Sequence, residues 1–203
     1  MDNDKLKSGD VHFHNILDLD AEYISNLRNW RNQDFVREKM FNQGLISEDE
    51  HGKFIEHLRE ISEKRLYICF IGEKAFGVLD YNLFINNNSL EFGYYLIEQG
   101  YTNSGLGIVM EYALLNHAFY DLNVHKVFCR TLSNNEKVIS LHKNFGFLTE
   151  GVMKQHIKMV NRYMDVTIQA IYESIWRDNR IVIEKLLKVM LGNNNIGRIE
   201  ERC

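Results

Sequence analysis

Gly100, Gly105 and Gly107 punctuate residues 97–108, and the segments on either side restrict the fold more than any other feature of the chain. Before them runs an aromatic-rich stretch, Ser89-Leu90-Glu91-Phe92-Gly93-Tyr94-Tyr95-Leu96, with the composition of a strand. After them Leu106, Val109, Met110, Ala113 and Leu114 recur at helical spacing. A strand, a glycine turn and a helix start leave backbone N–H groups free at the positive end of a helix dipole, which is an anion site suited to phosphate. Gly105 and Gly107 let the main chain approach such a guest closely. A closely packed turn with no ligand satisfies the same pattern.

Two familiar phosphate folds are excluded. No Lys-Ser/Thr follows the glycines, as a P-loop requires. No βαβ unit precedes them, so they are not a dinucleotide fingerprint. A second element decides. Residues 126–132 read as a strand, and Asn135 opens a helix with Val138, Ile139 and Leu141 on its apolar side. His142, Lys143, Asn144, Phe145, Gly146 and Phe147 then turn the chain toward a further strand.

Together the two elements resemble the acetyl-CoA-binding core of the GCN5-related N-acetyltransferase (GNAT) superfamily, over roughly residues 65–172. The first resembles the family's pyrophosphate loop, Gln/Arg-x-x-Gly-x-Gly/Ala. The second resembles its Asn-x-x-(small)-x-x-Leu-Tyr/His-x-x-x-Gly-Phe signature. Thr102 stands where the family usually has Gln or Arg, which removes one side-chain contact to phosphate. His142 stands where many members carry a Tyr that protonates the leaving thiolate. An ordinary imidazole, with a pKa of about 6.5, donates a proton at neutral pH less suitably than a phenol near 10.

Composition agrees with a soluble globular protein of one domain. The 203 residues are 45% hydrophobic and 26% charged, enough for a sizeable core. A net charge of -4 and a pI near 6.1 argue against a nucleic-acid-binding surface. Residues 1–10 hold no apolar signal core and no run reaches the ~18 apolar residues of a membrane span, so the expectation is a cytoplasmic protein with no membrane partner. Cys69 and Cys129 lie in apolar strand-like runs and read as reduced core residues; with Cys203 they have no metal-ligand spacing, and no metal is expected. Proline is absent, so turns depend on Gly and Asn.

Periodicity places a strand at 11–17, a helix at 21–32, and a second helix behind the capping box of Ser47 and Glu50, with Phe54, Ile55, Leu58 and Ile61 turned inward. Hairpin strands follow at 66–71, 76–85 and 90–97, then a helix at 104–120 and, after the strand and helix of the second element, two strands divided at Asn161-Arg162. The expected fold is a GNAT α/β (α+β) fold: a mixed, mostly antiparallel sheet of about seven strands, parted at its centre, with helices on both faces. Residues 1–172 form the acetyltransferase domain, 173–191 a helix packed on that domain or on a second copy in a homodimer, and 192–203 a flexible tail.

The resemblance implies site residues. Tyr95, Leu96 and Ile97 line the pantetheine arm, one of their N–H groups polarising the thioester carbonyl. Thr102, Asn103, Ser104, Gly105, Leu106, Gly107 and Ile108 hold the pyrophosphate, while Asn135 and Lys143 reach the rest of the coenzyme. Glu91 is the candidate base and Asp80 its alternative. Two acids on neighbouring strands facing one cleft would raise each other's proton affinity. His142 is the candidate acid.

The variable acceptor side falls to the N-terminal helices, with Asn29-Trp30-Arg31-Asn32, then Met40-Phe41, then His51 and Phe54. With Gly77-Val78-Leu79-Asp80-Tyr81, these runs are similar to the PseH branch of the superfamily, which N-acetylates the 4-amino group of a UDP-linked 4-amino-4,6-dideoxy sugar in pseudaminic acid synthesis. That resemblance implies Arg31 and Asn32 at the nucleotide, Met40, Phe41, Phe54 and Tyr81 around sugar and uracil, and His51 bonded to the ligand. Arginine's planar fork suits a diphosphate. The alternatives are a RimJ/RimL-like acetylase of protein N-termini, a polyamine acetylase, or a CoA-binding module without activity. An acidic cluster at the acceptor mouth would mark the polyamine reading.

Overall fold

The computed structural model describes residues 9–192 and 194–199. Thirteen named elements follow in chain order: β1 (Val11–Asn15), α1 (Ala21–Arg31), α2 (Asp34–Arg37), α3 (Glu48–Glu60), β2 (Lys64–Ile71), β3 (Lys74–Phe84), β4 (Ser89–Leu96), α4 (Leu106–Asn116), β5 (Lys126–Leu132), α5 (Glu136–Phe145), β6 (Leu148–Lys158), β7 (Tyr163–Tyr172) and α6 (Glu173–Leu191). The strands make one seven-stranded sheet in the order β1-β2-β3-β4-β5-β7-β6. Every neighbour is antiparallel except β4 and β5, which run parallel. This is the mixed, mostly antiparallel sheet expected.

Local chemistry sets several boundaries. The capping box at α3 is complete: Ser47 Oγ accepts from the Glu50 amide, and the Ser47 amide donates back to Glu50 at 2.8 Å. Gly146, at φ +103, ends α5 in the left-handed conformation that suits glycine. The short helix α2 is not foreseen from periodicity, because four residues are too few to show a helical face. The helix expected over 104–120 starts later, at Leu106, and its last turn widens into a π-turn over His117–Asp121.

The apolar core fills both sides of the sheet. On one face α1 closes over Phe70, whose ring meets Tyr23 edge-on at 5.4 Å. On the other, α4 lies across β3, with Met110 against Gly77. Helix α6 packs on α4 and α5: Trp176 is fully buried, edge-on to Tyr112 and stacked on Phe145. Its indole donates to Asn116 Oδ1 at 3.2 Å, and Tyr112 donates to Glu184 at 2.7 Å. Each such buried aromatic contributes roughly 1.5–3 kcal/mol through loss of apolar surface from water.

The chain end corrects an expectation. Residues 194–199 do not hang free: Ile196 makes a parallel bridge to Val11, the Val11 amide donates to the Asn195 carbonyl at 2.8 Å, and Ile199 is buried. The open edge of β1 offers unpaired backbone groups, and this segment takes them up. Residues 1–8, 193 and 200–203, with Cys203, lie outside the described residues.

Candidate active site

The sheet parts at its centre. The β4–β5 register holds only for Ser89↔Lys126, Leu90↔Val127 and Glu91↔Phe128, and beyond these the strands diverge. On its other side β4 stays paired with β3 as far as Gly77↔Leu96. The Ile97 amide donates to Phe76, so by antiparallel alternation Tyr95 and Gly93 turn their backbone groups toward β3. Tyr94 and Leu96 therefore present theirs to the gap. Of the Tyr95, Leu96 and Ile97 amides expected to offer one donor to the thioester carbonyl, only that of Leu96 faces the gap. The Ile97 carbonyl is also spent, accepting from Gln33 at 2.8 Å.

Past the gap the chain turns through Asn103, at φ +66, and Gly105, at φ +87, into α4. Three amides of this turn are committed inside the protein. Ser104 donates to the Tyr101 carbonyl, Leu106 to Ser104 Oγ and Ile108 to the Gly105 carbonyl. The amides of Asn103, Gly105 and Gly107 have no partner among the described residues. Left-handed residues in such a turn aim successive N–H groups into one concavity, at the positive end of the helix dipole. The loop thus leaves alternate amides unengaged among the described residues.

Gap and loop open into one cavity of about 1240 Å³, larger than a single small-ligand pocket needs. Tyr95, Leu96, Thr102, Asn103, Gly105, Gly107, Ile108, Asn135 and His142 line its loop side, and Asp80, Arg31, Met40, His51 and Phe54 the side of the N-terminal helices. Asn135 heads α5 without using its side chain as a cap, so its amide remains for a guest. The free amides, the open strand edge and this uncapped asparagine fit the phosphates and the amide-bearing arm of CoA.

Several expected residues lie elsewhere. Lys143 is exposed on α5 and misses the cavity, while Lys137 lines it and donates to Asn103 Oδ1 at 3.4 Å. The helix phase decides: positions 137 and 141 share a face and 143 points away. Ser104, Leu106 and Ile97 are not on the cavity wall. Tyr81 is buried in the core, stacked on Tyr67. Asn32 braces its own segment, donating to and accepting from Ile46 at 2.9 and 2.8 Å. Phe41 lies off the wall, under the Arg130 guanidinium at 5.9 Å. His51 lines the cavity, but one ring nitrogen is held 2.7 Å from the Ile24 carbonyl.

The two acids differ in place. Glu91 lies outside the cavity wall, and both its oxygens accept from Arg130, at 2.5 and 3.2 Å. Asp80 is on the wall; Lys64 donates to its Oδ2 at 2.9 Å, and its Oδ1 accepts no hydrogen bond from the described residues. Each carboxylate has its own cation, so the mutual repulsion expected from sequence is neutralised.

Arg31 donates through Nη2 to the Asn42 carbonyl at 2.8 Å, while its buried Nη1 has no partner among the described residues. Burial lowers its pKa, with Tyr95 pulling upward and Arg37 adding to the fall.

Sequence reasoning passed over Glu111. It is fully buried on α4, accepts from the Tyr94 hydroxyl at 2.9 Å, and lies 2.9 Å from Nδ1 of His142. The signal was present: it is the one charged residue in the otherwise apolar run 106–115. Burial works against charge on His142, but Glu111 and a hydrogen bond with Cys129 outweigh it, and its pKa is pushed up to about 10. The imidazole thereby acquires the proton affinity expected of the tyrosine it replaces.

Residues 19–168 match the family described as Acetyltransferase (GNAT) domain. The chain belongs to this family. It is an N-acetyltransferase with acetyl-CoA as co-substrate. It is 28% identical to acetyltransferase PseH of Campylobacter jejuni (strain ATCC 700819 / NCTC 11168) over 137 residues, covering 68% of this chain and 84% of that one. To spermidine N(1)-acetyltransferase of Vibrio cholerae it is 26% identical over 158 residues, covering 76% and 88%. The crystal structure of the Vibrio cholerae spermidine N-acetyltransferase, in complex with CoA and spermine, superposes with a TM-score of 0.75 at 19% identity, over 82% of this chain and 98% of that one. Among the described residues, no helix is long and apolar enough to cross a membrane and no cluster could hold a metal ion.

Proposed function

We propose that this GNAT enzyme transfers acetyl to the amino group of a nucleotide-linked 4-amino sugar. The observation that carries the reading is Arg31: a half-buried guanidinium on the acceptor side whose buried Nη1 has no partner among the described residues. An unmatched buried donor is costly, and a phosphate oxygen of the acceptor would satisfy it. Met40 and Phe54 on the same wall supply apolar surface for a sugar or base. Similarity to PseH supports this acceptor class.

The amine enters as an ammonium and must lose a proton before it attacks the thioester carbonyl. Asp80, through its open Oδ1, takes that proton directly or by way of water. The N–H of Leu96 in the parted strand steadies the developing oxyanion. The amides of Asn103, Gly105 and Gly107, with Lys137, hold the coenzyme phosphates, and Asn135 holds its arm. His142 faces the departing sulfur.

A polyamine acceptor is the second reading, supported by similarity to the spermidine enzyme. A polycation needs uncompensated carboxylates. Of those on the wall, Asp80 carries Lys64 and Glu50 is engaged at Ser47, leaving Glu38 and Glu136. Of the cations on the wall, Lys64, Arg130 and Arg28 are likewise paired, with Asp80, Glu91 and Glu48, and Arg31, Lys39 and Lys137 stand against the two remaining acids.

Thiol release from acetyl-CoA, measured with a UDP-linked 4-amino-4,6-dideoxy sugar and with spermidine, separates the two. The expected result is faster turnover of the sugar nucleotide, with Arg31→Ala raising its KM about ten-fold or more and leaving that of acetyl-CoA unchanged. Preference for spermidine overturns the proposal.

A further inference from the structure

His142 and Glu111 are thirty-one positions apart in the chain, yet the fold brings them together in a buried cluster that reaches the active-site cavity at His142. Glu111 is 0% exposed and His142 2%. Glu111 projects from α4 with no lysine or arginine paired to it among the described residues, where its two partners are the Tyr94 hydroxyl from β4 and His142 from α5. The rest of the cluster is apolar or weakly polar. Phe92 lies edge-on to the imidazole at 5.6 Å, Phe147 tilts over it at 5.2 Å, and Cys129 from β5 lies beside the ring. His142 and Cys129 both line the cavity, Cys129 on the stretch of β5 that begins where β4 and β5 part.

A buried carboxylate without a countercharge is strongly unfavourable, and only a cation or a proton relieves it. Nδ1 of His142 is occupied by Glu111, which leaves Nε2 toward the Cys129 side and the cavity.

We propose that Glu111 is a positioning residue that keeps His142 as an imidazolium with Nε2–H turned to the parted strands, ready to protonate the thiolate that leaves acetyl-CoA. This rests on His142 as the acid of the proposed reaction and adds what makes a histidine fit for it. The amine nitrogen bonds to the thioester carbon, the C–S bond breaks, and its electron pair goes to sulfur. The Nε2 proton follows to give the thiol. Neutral His142, still bonded to Glu111, regains a proton from solvent through the cavity. Tyr94 fixes the second carboxylate oxygen, so the charge of Glu111 is directed to the imidazole. The groups facing His142 that bear charge or titrate are Glu111, Tyr94 and Cys129, and no other charged group meets it among the described residues. The raised pKa of His142 agrees with this arrangement.

The test begins with the intact protein and no ligand. With ring-nitrogen-labelled histidine, NMR should show His142 still charged at pH 8, and Glu111→Gln should lower its titration midpoint by more than two pH units. A neutral His142 at pH 8 in the unaltered protein overturns the proposal, whatever the acceptor. The second readout is the pH dependence of kcat for thiol release, with the UDP-linked 4-amino sugar or, should that not turn over, spermidine. The basic limb should move at least two pH units toward acid in Glu111→Gln, with both KM values within about two-fold of the original. An unmoved limb overturns the positioning role. If Glu111→Gln does not fold, His142→Gln keeps the bond to Glu111 but has no proton to give. It should lose about 100-fold or more in kcat with KM retained, and full activity in that variant overturns the acid assignment. Failure of the sugar reading alone shows as spermidine turnover with the NMR result intact.

Discussion

The ammonium of Lys64 lies 2.9 Å from Oδ2 of Asp80, one strand over from the pair in which Arg130 clamps both oxygens of Glu91. Asp80 faces the cavity and Glu91 does not. Asp80→Asn should lower kcat by about 10²–10⁴-fold, the range of a lost general base, with the Kd of acetyl-CoA held within two-fold. Glu91→Gln should cost far less. Steady-state rates with calorimetric acetyl-CoA binding check both, and the opposite ranking would return the base to Glu91.

The two loop glycines differ as test sites. A Cβ at Gly105 would meet Met190 Cε at 2.0 Å on a backbone of φ +87, so any substitution there strains the fold. At Gly107 a Cβ meets nothing closer than Leu141 at 3.5 Å. Gly107→Leu should therefore fold normally while its side chain fills the space before the free amides, weakening acetyl-CoA at least ten-fold. Unchanged affinity would remove the anion site from this loop.

Trp176 ties α6 to the domain through stacking on Phe145 and its bond to Asn116. Trp176→Ala should destabilise the protein by about 3–5 kcal/mol, the usual cost of emptying a buried aromatic site. Denaturant unfolding measures this. A loss below about 1 kcal/mol would mean that α6 contributes little to the fold.

The pair of His142 and Glu111 also sets a pH dependence of stability. His142 has a folded pKa pushed up to about 10, above its ordinary 6.5. A raised folded value means that the native state binds the proton more tightly than the unfolded chain. The stabilisation is complete below about pH 6.5, declines as pH rises, and is gone above about 10. Between pH 7 and 10 the Tm of the unaltered protein should fall more steeply than that of His142→Gln. Parallel curves would contradict the pair's charged state.

Much of the fold is legible in the chain because its signals are local. Ser47 and Glu50 are three residues apart and complete their capping box from neighbours alone. The strand at 126–132 and the glycine stop at Gly146 follow from runs and turns of a few residues. The expected CoA residues were legible in part. Asn103, Gly105 and Gly107 have free amides, whereas Ser104, Leu106 and Ile108 spend theirs within the turn, a distinction set by φ angles that composition does not carry. Tyr81 and Lys143 were misplaced for the same kind of reason: the face of a strand or helix to which a residue points depends on register and phase.

From the amino-acid sequence alone come the order of strands and helices, the glycine turn that opens α4, and the motifs that mark an acetyltransferase. Only the folded sheet decided that Asp80 meets Lys64, that Arg130 occupies Glu91, that residues 194–199 cover the edge of β1, and that Glu111 finds His142. Propensity and capping act over one or two turns of chain. Charge pairing and burial depend on separations of a few ångströms between residues far apart in sequence, and those are set only when the strands take their register and the helices pack upon them.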